Sequence, residues 1–452
     1  MNKNMVSQNT LISYRQSHLR GTLLAHKHIP GDKSISHRAL FLSALATGTT
    51  EIVGINAGED VEHTQLALES LGVQIENAGP QKKIVHGLAG RALMQPANPL
   101  YLGNSGTSTR LLGGFVAPFP IQVTLYGDAS LSQRPMRRMI TPLKELGARF
   151  ETNDHETLPL TIHGAKKPIG IHYKVPIPSA QIKTCVLLAG MNIEGVTSVY
   201  EPIKTRNHTE LMMEYLGIPL TVVESETGGT IYSIQGKQPF SAKNIRIPGD
   251  PSAAIFFAVA AAITPQSNIT IRGLNWNPYR RRAYEVLQQM GAKVTVLDQS
   301  MSCGEIIADI QIEAADLNAV NLEAFEAPSL IDEYPAIAVA AAAARGTSTF
   351  KGLRELRYKE SNRLEAIFKN LMNCGIDVRA DDDTLIIKGT GGTPIFGGIT
   401  VNVFKDHRIA MALYILGMIA RNPIIIQGAD CIASSFPNFH QVFENLSFMH
   451  AA

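Results

Sequence analysis

Basic side chains recur where helices should begin. In PGDKSISHRALFLSALATG, a helix capped by Ser34 would carry Lys33 just before it and Arg38 one turn in. In LGNSGTSTRLLGGFVA, a helix from about Thr107 has Arg110 in its first turn. In EPIKTRNHTELMMEYLG, Asn207 and Glu210 have capping-box spacing, with Arg206 beside the cap. In RYKESNRLEAIFKNLMNCG, Leu364, Ile367, Phe368, Leu371 and Met372 mark a buried helical face, and Lys359 and Arg363 stand four apart at its start. In FKDHRIAMALYILG, Asp406 is a good cap and Arg408 follows two residues later. The amino terminus of a helix is partially positive, so each such cation is disfavoured by a few tenths to about 1 kcal/mol. Five such helix starts in equivalent places call for a shared cause. A bound phosphate or carboxylate supplies one, because helix starts attract anions and each charge-assisted hydrogen bond adds roughly 1.5–3 kcal/mol. The chemistry implied is recognition of a polyanionic small molecule.

The elements that must position these residues repeat. LESLGVQI, LKELGARF, MEYLGIPL, LQQMGAKV and LMNCGIDV each end a helix on a glycine and pass into a strand. Their glycines, Gly72, Gly147, Gly217, Gly291 and Gly375, are 75, 70, 74 and 84 residues apart. Each is expected to take the left-handed conformation that stops a helix. A sixth stop would fall near FENLSF at the carboxyl end. Pro30-Gly31-Asp32-Lys33-Ser34 recurs as Pro248-Gly249-Asp250-Pro251-Ser252, an offset of 218 residues, or about three repeats. Stretches such as TTEIVGI, SNITIRGL and NPIIIQGA read as strands. The result is a mixed α/β chain of two halves with three units each, crossing between halves at the two Pro-Gly-Asp sites.

Composition excludes several roles. The 452 residues exceed one ordinary core and fit two domains. A net charge of +2, from 41 Lys and Arg against 39 Asp and Glu, gives no basis for a nucleic-acid or membrane-surface role. Cys185, Cys303, Cys374 and Cys431 are scattered, forming neither a disulfide framework nor a zinc site, and His26 and His28 read as surface or turn residues. No metal is expected. The amino-terminal stretch has no apolar core of a secretion signal, and the longest apolar runs, Ala253 to Ile263 and Ile409 to Ala420, fall short of the roughly 20 residues of a membrane span. A soluble cytoplasmic protein is expected.

PGDKSISHRAL, LGNSGTSTRLL, GDASLSQRPM, PSAQIKT, EPIKTRNHTE, IDEYPAIAVAAA, LRYKESNRL and DHRIAMAL, in that order from about residue 20 to 440, resemble the EPSP synthase family of enolpyruvyl transferases. The resemblance implies a two-domain inside-out α/β barrel of six βαβαββ-like repeats, three per domain. One domain would be 1–31 plus 250–452 and the other 32–249, closing over an active site in the cleft between them. It implies transfer of the enolpyruvyl group of phosphoenolpyruvate to shikimate 3-phosphate, in the shikimate pathway to chorismate and the aromatic amino acids. A monomer with no cofactor and no partner beyond these small molecules is expected. By motif match, Lys33, Ser34, Arg38, Ser179, Arg206, Asp332 and Lys359 would hold shikimate 3-phosphate. Lys33, Gly106, Arg134, Gln181, Arg363 and Arg408 would hold phosphoenolpyruvate, with Asn104 and Arg110 shaping the same loop or touching that side. Asp332 would be the base and Glu360 the acid, with Lys33 and His407 as helpers.

Two features bear on the herbicide glyphosate, which targets the family, and they point in opposite directions. Gly106 stands where some tolerant members have Ala, whereas Ser434 replaces a Lys that many members carry before the late Phe-Pro. The sister family acting on UDP-N-acetylglucosamine usually has Lys-Asn in its first loop and a reactive Cys in a mobile loop. Here the first loop reads Lys33-Ser34 and no Cys occupies such a loop. A non-catalytic binder of the same fold would not need Asp332 and Glu360 beside the cations.

Overall fold

The computed structural model describes residues 9–226 and 228–448. Residues 1–8, read above as lacking a secretion signal, and those after 448, near the sixth stop, lie outside the described residues. The chain divides into two compact units. The first takes in the chain up to Pro30, Pro248–Ser300 and the chain from Ile306 onward; the second takes in Gly31–Ile247 with Met301–Glu305. Both Pro-Gly-Asp sites therefore fall at unit boundaries. The short stretch 301–305 groups with the second unit although it lies within 250–452.

Each unit is built around three buried helices. In the second unit these are Lys33–Leu45, Gly106–Val116 and Ala180–Gly190. In the first they are Pro251–Ile263, Tyr334–Ala343 and His407–Gly417. Sequences such as PSAAIFFAVAAAI and YPAIAVAAAA have no polar face to offer water, so these helices must be enclosed. Small residues let them approach closely. A Cβ on Gly114 would stand 2.1 Å from the carbonyl oxygen of Cys185 on the neighbouring helix. No helix among the described residues is long and apolar enough to cross a membrane.

The strands form four-stranded sheets on one plan. Leu100–Tyr101 runs parallel to Gln122–Tyr126, which pairs antiparallel with Leu160–His163, which pairs antiparallel with Arg149–Glu151. With the helices Gly106–Val116 and Arg137–Glu145 between them, the chain order is βαβαββ. The sheets containing Thr49–Val53, Val196–Glu201 and Thr347–Phe350 have the same pairing. A fifth, holding Asn268–Asn275, has the same strand order. The sixth departs, splitting into a three-stranded sheet with Thr10–Ser13 at its edge and a two-stranded sheet. The parallel edge strands are exchanged at the crossovers: Arg20–Leu24 joins Asn268–Asn275 in the first unit, and Ile245–Arg246 joins Thr49–Val53 in the second. Among the described residues the strands make seven separate sheets, a mixed α/β arrangement with no closed barrel.

The five stop glycines all take positive φ, from 79° at Gly217 to 111° at Gly147. Their role can be separated from packing. A methyl at Gly217 meets nothing within 4 Å, so Gly217→Ala pays only the backbone strain, about 1 kcal/mol. Gly114→Ala drives a methyl into backbone and is expected to cost about 3 kcal/mol. Urea unfolding of the two variants checks the order; equal losses would contradict it.

Candidate active site

In the second unit the expected residues gather at the starts of the three buried helices. Asp32, not Ser34, caps Lys33–Leu45, because its carboxylate accepts from the Ile35 N–H at 3.0 Å. Ser34 is therefore inside the helix, half-buried, and Lys33 is its first residue. Lys33 Nζ lies 2.7 Å from Asp60 Oδ2. Arg38 is nearly buried, with Nε donating to Thr209 Oγ1 at 2.8 Å, Nη2 to Thr184 Oγ1 at 2.9 Å and Nη1 to the Ser34 carbonyl at 2.9 Å. Gly106 opens the next helix behind Ser105, one residue before the expected Thr107. Arg110 Nη1 donates to Gln181 Oε1 at 2.8 Å, and Gln181 Nε2 donates to Thr107 Oγ1 at 2.9 Å. Arg134 Nη2 donates to Asn104 Oδ1, whose amide donates to Asp128 Oδ2 at 3.0 Å. Gly106 sits between these groups. A Cβ there would come within 2.9 Å of Arg110 Nη1 and 3.2 Å of Arg134 Nη1. Ser179 caps Ala180–Gly190. Arg206 is half-buried in the loop before His208–Leu216.

The capping box expected from Asn207 and Glu210 does not form. Asn207 is the cap residue without a side-chain cap bond, and the Glu210 carboxylate turns instead to Lys183 Nζ at 2.6 Å. A buried ammonium outweighs a backbone N–H as a partner for a carboxylate.

In the first unit the remaining candidates centre on Arg363. This guanidinium is 1% exposed and makes four hydrogen bonds to carboxylates. Nε reaches Asp406 Oδ2 at 2.8 Å, Nη1 reaches Asp332 Oδ1 at 3.3 Å, and Nη2 reaches both Glu360 Oε2 and Asp406 Oδ1. Burial works to lower its pKa, but Asp406, Glu360 and Asp332 together outweigh burial and raise it. Asp406 also caps His407–Gly417, accepting from the Arg408 N–H at 3.0 Å. Arg408 Nη1 donates to the carbonyls of Asp332 and Ser252 at 3.2 and 3.3 Å. His407 is buried, with Nδ1 3.4 Å from Ser434 Oγ.

Two further expectations change here. Lys359 is not in the helix with Arg363, because Asn362 caps that helix and Lys359 ends the preceding 3-10 turn. Met372 is exposed, so the buried face is narrower than its five apolar positions imply. Glu333 occupies the cap position of Tyr334–Ala343, and the Asp332 carboxylate beside it accepts from Arg363. Asp60 and Asp128 were not found from sequence, although an acidic helix start after Gly58 was a signal for the former. Cys185, Cys303 and Cys374 are buried and Cys431 half-buried, all as free thiols. Burial pushes the Cys185 thiol up to about 12, far from a reactive thiolate. His26 and His28 lie in a tight turn closed by the Leu24 N–H on His28 Nδ1. Among the described residues no three His, Cys, Asp or Glu side chains group as metal ligands.

Arg363→Met would leave the wholly buried Asp406 without its cation, an expected loss of about 3–5 kcal/mol by urea unfolding. A loss below about 1 kcal/mol would show that Asp406 does not rely on the pair. His37 offers a pH test. Burial first, then Lys33 and Arg38, hold its imidazole well below the ordinary 6.5. The unfolded chain takes up a proton there that the folded chain refuses, so stability falls as pH drops below 6.5. His37→Gln should flatten the change in unfolding midpoint between about pH 7 and pH 5. An unaltered slope would count against this assignment.

A family model described as EPSP synthase (3-phosphoshikimate 1-carboxyvinyltransferase) matches residues 15–443. The 3-phosphoshikimate 1-carboxyvinyltransferase of Rhodospirillum rubrum is 43% identical over 433 residues, covering 95% of each chain. That of Paramagnetospirillum magneticum is 41% identical over 442 residues, covering 98% of each. The solved structure of EPSP synthase from Acinetobacter baumannii superposes with a TM-score of 0.84 at 38% identity, over 97% of this chain and 98% of that one. Two similar units, the ordered motifs and these relatives agree: the chain belongs to the EPSP synthase family.

Proposed function

We propose that the chain transfers the enolpyruvyl (carboxyvinyl) group of phosphoenolpyruvate to the 5-hydroxyl of shikimate 3-phosphate. The products are 5-enolpyruvylshikimate 3-phosphate and phosphate, in the shikimate pathway leading to chorismate and the aromatic amino acids. The observation that carries this reading is Arg363, whose single guanidinium holds both proposed proton-transfer groups, Asp332 and Glu360. For the architecture, we read each unit as an inside-out α/β barrel. The three enclosed helices of each unit, with amphipathic helices and sheets around them, support that reading.

The two substrates together carry two phosphates and two carboxylates, which need several fixed cations. Lys33, Ser34, Arg38, Ser179, Arg206, Asp332 and Lys359 hold shikimate 3-phosphate. Lys33, Asn104, Gly106, Arg110, Arg134, Gln181, Arg363 and Arg408 hold or frame phosphoenolpyruvate. Arg363 has one N–H left on Nη1 once its four carboxylate bonds are counted, so its share of the substrate is a single contact. No cation stands at Ser434, which keeps His407 company instead.

Asp332 takes the proton of the 5-hydroxyl as its oxygen attacks C2 of phosphoenolpyruvate. Glu360 protonates C3, giving a tetrahedral ketal phosphate. In the reverse sense, a methyl proton returns to Glu360 as the C2–O bond to phosphate breaks, and the proton taken up by Asp332 passes to the leaving phosphate. Lys33 and His407 assist at the leaving oxygen and the proton path. Positioned acid–base groups contribute about 10²- to 10⁴-fold, and the held geometry and surrounding cations supply the rest.

Mixing both substrates with the protein should release phosphate, read by a colorimetric assay. Lys33→Met should lower turnover by about 10²-fold or more, and Asp332→Asn should lower kcat by about 10²- to 10⁴-fold. Tight binding of both substrates without phosphate release would instead make the chain a binder of these metabolites.

A further inference from the structure

The second unit buries a charged triad that the reaction scheme does not use. Lys183 is wholly enclosed on the helix Ala180–Gly190. Its Nζ lies 2.8 Å from Glu201 Oε2 and 2.6 Å from Glu210 Oε1, and 4.5 Å over the ring of Tyr232. Glu201 ends the strand Val196–Glu201 and also accepts from Thr205 Oγ1. Glu210 lies in the first turn of His208–Leu216. One ammonium thus joins three elements whose ends carry Ser179, Arg206 and, through Thr184 and Thr209, the two hydroxyls that receive Arg38. Such a costly burial of charge is a weak source of stability, and its better-attested use is fixing one register.

We infer that Lys183 is a positioning residue for shikimate 3-phosphate. It sets the spacing of Ser179, Arg206 and Arg38 by pinning Glu201 and Glu210 to one point. Thr205, the residue before Arg206, carries that constraint into the loop. Gln181 on the same helix is held separately by Arg110 and Thr107, so the phosphoenolpyruvate side is insulated. This inference rests on the substrate assignment proposed above.

Steady-state kinetics on Lys183→Met, Thr205→Val and Arg206→Ala, with circular dichroism to establish folding, test it. Lys183→Met should raise KM for shikimate 3-phosphate about tenfold or more, with KM for phosphoenolpyruvate within about twofold. Thr205→Val, which loses one hydrogen bond and little volume, should raise the same KM about threefold to tenfold. If Lys183→Met does not fold, Thr205→Val decides alone. Folded variants with both KM values unchanged would overturn the inference, as would a purely thermal loss of stability. Arg206→Ala separates the two levels. If it raises KM for shikimate 3-phosphate while the other variants do not, only the positioning role fails; if it too changes nothing, the substrate assignment fails.

Discussion

A buried cation at the start of a helix faces the wrong end of the helix dipole and loses its water. This chain keeps several by giving each a fixed oxygen. Asp406 shows the economy of the device: one carboxylate caps a helix through the Arg408 N–H, receives Ser361 Oγ, and takes the Nε of Arg363. Asp60 gives Lys33 Nζ a carboxylate oxygen at 2.7 Å, and its backbone carbonyl receives Ser108 Oγ from the next helix start. Arg38 is held by two threonine hydroxyls and one carbonyl. These partners hold the cations in place, so the proposed binding of an anion would need little reorganisation.

The repeat explains why the arrangement recurs. Each βαβαββ unit delivers one enclosed helix, and in the second unit the first two, Lys33–Leu45 and Gly106–Val116, are linked at their starts through Thr64 of the helix Glu59–Ser70. His37 Nδ1 meets Thr64 Oγ1 at 2.8 Å, Thr64 meets Ser108 at 2.7 Å, and Ser108 meets Ser105 at 2.6 Å. Cations stand in the first two turns of Lys33–Leu45, Gly106–Val116, Ala180–Gly190 and His407–Gly417, whereas Pro251–Ile263 and Tyr334–Ala343 carry none. The departure of the sixth repeat, whose sheet is divided and edged by residues 10–13, shows that the plan tolerates loss of a regular sheet while its helix His407–Gly417 still presents Arg408.

Much of this was legible from residue types. The left-handed glycines, the capping by Asp406 and the α/β repeats rest on local rules that neighbouring structure does not override. What the sequence concealed were choices between nearby oxygens. Asp32 and Ser34 are both competent caps, and only the buried fit of the Asp32 carboxylate to the Ile35 N–H decides between them. Asn207 and Glu210 have the right spacing for a capping box, yet Lys183, 27 residues before Glu210, wins the carboxylate. Lys359 keeps its four-residue spacing from Arg363, but Asn362 starts the helix too late to include it. Pairings across long sequence separations decide these cases, and spacing within one segment carries no trace of them.

In the proposed reaction, prearranged cations recognise substrate charge. Titration calorimetry comparing shikimate 3-phosphate with shikimate, which lacks the phosphate, tests it most directly. Two or more charge-assisted hydrogen bonds to that group predict an affinity at least about 100-fold higher for the phosphorylated ligand, weakening as salt is raised. Equal affinities, indifferent to salt, would contradict the account.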